Sequence, residues 1–167
     1  MTGAPSIVVL GVGNTLMRDD GIGVRAVRTL AETYDLPAHV RLVEGGVAGL
    51  RCLSEFEGAD YLLIVDAMYG SKPAGAIDRL TPEELPEHRG TVFSAHEIGV
   101  AELVSVARLL GKLPTTRILA VQAKEAQSVG LDLTPELQGA LPRVVEVLVE
   151  ELRVLGVEPV RKEGRDA

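Results

Sequence analysis

Tryptophan is absent from this chain of 167 residues, which has only two Phe, three Tyr and a single Cys. Without large aromatics the interior must be built from Val, Leu and Ile. Apolar residues make up 46 % of the chain, the share of a folded α/β domain rather than a disordered one. The lone thiol, Cys52, excludes an internal disulfide and fits a reducing cytosol. Basic charge is also short: 17 Lys and Arg against 24 Asp and Glu give a net charge of −7. Such a surface repels phosphate backbones, so nucleic acid is not an expected partner. No apolar run approaches the ~20 residues that span a bilayer, and no membrane association is expected. The opening MTGAPSIVVLGVGN has no basic region before its short apolar stretch, so no export signal is expected and the cytoplasm is the expected location.

What is present reads as alternating strands and helices. Ser6–Leu10 is a β-branched run ending in Gly-x-Gly, a buried strand and a tight turn. Gly21–Tyr34 carries Ile22, Val24, Val27, Leu30 and Ala31 at helical spacing, with Asp19 or Asp20 as its cap. Val40–Val43 is a second strand, stopped by Glu44-Gly45-Gly46; Leu50, Leu53 and Phe56 mark a short helix; Tyr61–Val65 is a third, wholly apolar strand ended by Asp66. Near-continuous apolar strands are buried on both faces, which predicts a mainly parallel twisted sheet of about five strands in a three-layer α/β/α sandwich. Gly75–Leu80 reads as a further strand, 81–90 as loop, Val92–Ser94 as a short extended piece, and Ala101–Leu110 as a helix starting near Glu97 or Ile98. Thr116–Val121 is the last strand. Thr134-Pro135 is an N-cap with proline in the first turn, opening a helix to about Leu155 with Pro142 inside it. One domain is expected over residues 1–157, with 158–167 a loose tail.

The stretch GVGNTLMRDDGIGV at 11–24 poses the functional question. Gly11-x-Gly13 after a strand opens a dinucleotide fingerprint, and Glu44 is placed to serve as its ribose-binding acid. The third glycine is missing, however: position 16 is Leu. A pyrophosphate there would also face Asp19 and Asp20, and like charges a few Å apart cost on the order of 1 kcal/mol even in water. Carboxylates at this turn suit a cation instead. Ligands of open parallel sheets gather beyond the carboxyl ends of the strands, and three polar groups fall there: Asp20, Asp66 and His96. Two carboxylates and an imidazole are a reasonable partial ligand set for a divalent transition metal. Each also has an ordinary structural role, as cap, turn former or surface residue. No Gly-x-Ser-x-Gly elbow exists, His96-Glu97 lacks the second His of a zinc-protease motif, and Cys52 reads as a core thiol.

LGVGNTLMRDDGIGVR, VEGGVAGL at 43–50, IVDAM at 64–68, SAHEIGV at 94–100 and LTPEL at 133–137 together resemble the maturation endopeptidases of nickel–iron hydrogenases, in order and spacing across nearly the whole chain. The resemblance implies a sheet between helix layers and an endopeptidase. It would remove a short C-terminal peptide from the precursor of a hydrogenase large subunit once nickel is in place. It implies Asp20, Asp66 and His96 as the nickel-contacting and catalytic residues, and Gly45 and Gly46 in substrate recognition. The nickel belongs to the precursor, no tightly held organic cofactor is implied, and a monomer is expected. Hydrolysis by a metal-activated water and by an Asp general base both remain open. Over 121–132 this chain reads VQAKEAQSVGLD, without the proline the family often carries there. A non-catalytic metal-binding assembly module is the alternative class, with a dinucleotide-binding domain behind it.

Overall fold

The computed structural model describes residues 3–87, 92–93, 99–126 and 128–164. Strands β1 (Ile7–Val12), β3 (Val40–Gly46), β4 (Tyr61–Tyr69), β5 (Ile77–Leu80) and β7 (Thr115–Gln122) form a sheet in the order β3-β1-β4-β7-β5. Contacts of β1 with β3 and β4, and of β4 with β7, are parallel; β5 runs antiparallel to β7. A short β6 (Val92–Phe93) pairs antiparallel with Met68 and Tyr69 of β4. Helix α1 (Ile22–Thr33) follows β1, α2 (Leu53–Phe56) precedes β4, α3 (Val100–Leu109) precedes β7, and α4 (Pro135–Val154) follows it. A separate two-stranded sheet joins β2 (Tyr34–Asp35) to β8 (Val160–Arg161).

The apolar strands divide by alternation into two cores. Ile7, Val9, Leu63, Val65, Leu119 and Val121 face α1 and α4, meeting Ile22, Val27, Leu30, Leu137, Val144 and Leu148. Val8, Leu10, Leu62, Ile64, Ile118 and Ala120 face the other way, against Cys52, Phe56, Leu103, Val104 and Ala107. The three-layer α/β/α sandwich is therefore present, and each fully buried Leu or Ile on either face stabilises it by about 1.5–3 kcal/mol. Cys52 is a core thiol as expected, and burial pushes its ionisation up from the ordinary thiol range, with Glu55 adding to the shift.

Several boundaries differ from the sequence reading. Asp66 does not end its strand: β4 runs three residues further, because β6 and β7 supply partners beyond the point where β1 stops. Residues Pro82–Glu87 form a 3-10 turn where a loop was expected. The described part of α3 begins at Val100; positions 94–98, including the expected start at Glu97 or Ile98, lie outside the described residues. Thr134 caps α4 as predicted, its hydroxyl accepting from Leu137 N at 3.4 Å. The stretch expected as a loose tail carries β8, and Lys162 N donates to Thr33 O at 2.9 Å.

Candidate active site

β1 and β4 are neighbours in the sheet, yet the chain leaves β1 for α1 on one face and reaches β7 from β4 through α3 on the other. Their carboxyl ends form a switch point, the crevice where open α/β sheets bind ligands. The last β1–β4 pair is Gly11 with Val65. Asp66 is the next residue on β4, at the mouth of the crevice, and alternation puts it on the α2/α3 side. Asp20 comes from the 3-10 turn Arg18–Gly21 that follows β1. Both aspartates are buried, at 4 % and 3 % exposure for Asp20 and Asp66.

The glycines of the motif let that turn sit this deep. A Cβ on Gly13 (φ +119°) would lie 1.8 Å from Asp20 O. A Cβ on Gly23 would lie 2.1 Å from Val65 O and 2.6 Å from Val12 O. Glycine thus serves close backbone approach here, of α1 to β1 and β4, rather than a phosphate cradle.

Neither aspartate caps α1. The N-cap is Gly21, with no side-chain hydrogen bond. Asp20 Oδ2 accepts from Asn14 N at 2.7 Å, and Oδ1 accepts from the Tyr69 hydroxyl at 2.6 Å. The carboxylate is held from two sides, and each oxygen retains a lone pair for a further ligand. Tyr69 was not singled out by sequence; only a β4 continued past Asp66 would have shown it. Burial first, then the hydrogen bond to Asp20 and the charges of Asp20, Asp66 and Asp19, drive its phenol far above the ordinary tyrosine range. It is a permanent donor to Asp20, and the three carboxylates act together on its hydroxyl.

Asp19 is fully buried and points elsewhere. Its Oδ2 accepts from Lys124 N (2.9 Å), Glu125 N (3.0 Å) and Thr134 Oγ1 (2.9 Å), and its Oδ1 from Thr134 N (2.8 Å) and Oγ1 (3.1 Å). It staples the acid-bearing turn to the β7–α4 connection, the segment VQAKEAQSVGLD and the helix cap that follows it. No local signal reports this, since its partners are 105 to 115 residues away.

Gly45 and Gly46 end β3 beside the crevice. Gly46 has φ +54°, and its carbonyl accepts from Gly13 N at 3.0 Å, tying the glycine pair to the motif loop. Glu44, the residue a dinucleotide reading would use, is bound by Arg28 at 2.6 Å instead. His96 lies outside the described residues. Among the described residues no group of three or more His, Cys, Asp or Glu side chains is placed to hold a metal ion. The rim carries apolar side chains: Leu16, Val47, Leu50, Val129 and Leu131 stand exposed on the connections after β1, β3 and β7, interspersed with exposed Arg51, Lys124, Glu125 and Ser128. Exposed apolar side chains around a polar centre suit a protein partner better than a small solute.

The fold and crevice define an open α/β/α protein with buried acids at its switch point. The hydrogenase maturation protease family matches residues 24–151, and the chain belongs to that family. It is 35 % identical over 159 residues to the hydrogenase 2 maturation protease of Escherichia coli, covering 95 % of this chain and 97 % of that protein. It is 36 % identical over 155 residues to the hydrogenase expression/formation protein HupD of Rhodobacter capsulatus, covering 91 % and 73 %. The solved hydrogenase maturating endopeptidase HybD of E. coli superposes with a TM-score of 0.84 at 34 % identity, over 95 % of this chain and 99 % of that one. HybD of Thermococcus kodakarensis superposes at 0.69 with 27 % identity, over 87 % and 97 %.

Proposed function

We propose that this protein is the endopeptidase that removes a short C-terminal peptide from the precursor of a nickel–iron hydrogenase large subunit after nickel insertion. Family membership supports the peptidase class and the hydrogenase substrate. The observation that carries the nickel-reading step is the Asp20 carboxylate. It is buried at the switch point, oriented by Asn14 N and the Tyr69 hydroxyl, with lone pairs to spare. In this reading Asp20, Asp66 and His96 meet open coordination positions of the nickel that the precursor carries, and this docks the scissile bond along the sheet edge. Gly45 and Gly46 line the approach. Tyr69 and Asn14 act on the ligand rather than the metal, as supporting partners of a coordinating carboxylate commonly do.

Without nickel, the crevice presents concentrated negative charge to an empty precursor, which binds poorly as a result. Nickel is cargo of the substrate, and no organic cofactor is required. The reading carries with it action as a monomer in the cytoplasm; no helix among the described residues is long and apolar enough to cross a membrane.

The test mixes the purified protein with loaded and nickel-free precursor and follows precursor mass. Loss of the C-terminal peptide from the loaded form alone is expected. Equal cleavage of both forms refutes nickel sensing, and tight binding of loaded precursor with unchanged mass refutes the peptidase. Undiminished cleavage by Asp20→Ala, Asp66→Ala or His96→Ala removes that residue from the mechanism.

A further inference from the structure

Arg18 immediately precedes the acidic pair. Its φ of +49° is the only left-handed backbone angle at a non-glycine among the described residues, a conformation glycine adopts freely and other L residues avoid. The backbone is locked there. Arg18 N donates to Gly130 O at 3.0 Å, Gly130 N donates to Leu16 O at 2.8 Å, and Met17 forms an isolated bridge with Gly130. The side chain crosses the bare face of that glycine: a Cβ added to Gly130 would lie 3.0 Å from Arg18 Cγ and Nε and 3.4 Å from Cζ.

Nε of Arg18 is buried and has no hydrogen-bond partner. The adjacent acids do not neutralise it: Asp19 is turned onto Thr134 and the β7–α4 connection, and Asp20 onto Asn14 and Tyr69. A half-buried guanidinium thus sits beside the crevice, without an ion pair among the described residues, in a chain of net charge −7. A glycine would make the same turn without strain. Strain held at such a place points to a use for the head group.

We propose that Arg18 receives a carboxylate of the precursor's C-terminal extension, an inference that rests on the function proposed above. The planar guanidinium fork matches a carboxylate with two parallel hydrogen bonds. Every C-terminal extension ends in one such group, and any Asp or Glu within it would offer another. An anionic segment approaching a crevice that holds Asp20 and Asp66 needs a local cation, and Arg18 supplies it two residues from Asp20. The segment to be cut off is then held at its own charge while the nickel is held at the acids.

The test measures cleavage kinetics of nickel-loaded precursor by wild type, Arg18→Gly and Gly130→Ala, with melting temperature recorded for each. Arg18→Gly removes the fork and relieves the turn. Its melting temperature is expected to be unchanged or higher, with KM raised about tenfold to a hundredfold and the change concentrated in KM rather than kcat. Gly130→Ala keeps the arginine but displaces Cγ and Nε from their seat, and raises KM about threefold to tenfold. Two altered precursors identify the source of the carboxylate: one with its C-terminus converted to the amide, one with the acidic residues of its extension changed to Asn or Gln. One of them raises the KM of wild type and leaves that of Arg18→Gly unmoved. A KM for Arg18→Gly within about twofold of wild type overturns the proposal, as does a wild-type KM indifferent to both altered precursors. Failure of wild type to cleave loaded precursor overturns the proposed function instead, and shows before any variant is made.

Discussion

Replacing Asp19 by alanine is expected to destabilise the fold more than replacing the neighbouring Asp20, although Asp20 is the acid proposed to act on the substrate. The carboxylate accepts from three backbone N–H groups and one hydroxyl. Lys124 and Glu125 are exposed residues, so water replaces much of what their N–H groups lose, and each bond costs about 0.5–1 kcal/mol. Thr134 is buried, with 6 % exposure. Its N–H and hydroxyl are left without an acceptor at about 1–3 kcal/mol each. The sum is about 3–8 kcal/mol, a large share of the roughly 5–15 kcal/mol that holds a domain folded. An ordinary N-cap would cost only about 0.5–2 kcal/mol. Asp19→Asn keeps one oxygen, which in the Oδ2 position loses only the Thr134 N bond and in the Oδ1 position loses only the Lys124 and Glu125 bonds, at a cost of about 1–3 kcal/mol. Urea unfolding followed by circular dichroism checks this through the shift in midpoint at constant slope. A loss below about 1 kcal/mol for Asp19→Ala, or equal losses for the alanine and asparagine variants, would refute the staple.

Further outcomes follow from other contacts. The raised Tyr69 ionisation means that the folded state keeps a proton the unfolded state releases from about pH 10 upward. The associated stability is present below that pH and is lost above it, so wild type should lose stability between about pH 9.5 and 11 more steeply than Tyr69→Phe. At pH 7.5, Tyr69→Phe should cost about 1.5–3 kcal/mol, because a charge-assisted bond to Asp20 is removed. Gly23→Ala drives a Cβ to 2.1 Å from Val65 O, and soluble yield with native circular dichroism should be lost, since α1 must lift off the sheet. Cys52, buried and with its thiol ionisation raised, should label with a thiol reagent only as fast as the protein unfolds. Labelling within minutes under native conditions contradicts that burial.

The layers of the fold were legible because apolar runs such as IVVL and YLLIV have few ways to be buried on both faces. The end of β4 was not. Asp66 reads locally as a terminator, but strand length is set by partners, and β6 and β7 extend β4 past the charged residue. The same limit hid the difference between Asp19 and Asp20. Either fits the cap position of α1 by local chemistry, and only the return of the chain at Lys124 and Thr134 decides between them. Tyr69 had no motif of its own, and its partner is 49 residues away. Arg18 carries no signal of its own, because neither its backbone angle nor the bare face of Gly130 is visible in a string of letters. The two-residue β8 is too short to carry a periodic signal, whereas β6 falls within the short extended piece expected at Val92–Ser94.

The pairing of β8 with β2 has a practical consequence. α1 leaves the carboxyl end of β1 and delivers Thr33 to the opposite, amino-terminal rim of the sheet, where Lys162 binds it. The last described residues therefore emerge on the far side of the molecule from the crevice. An affinity handle, a fluorophore or a surface linker fused after them leaves the crevice free for a bulky precursor. The same additions made in the loops after β1, β3 or β7 would stand in its path.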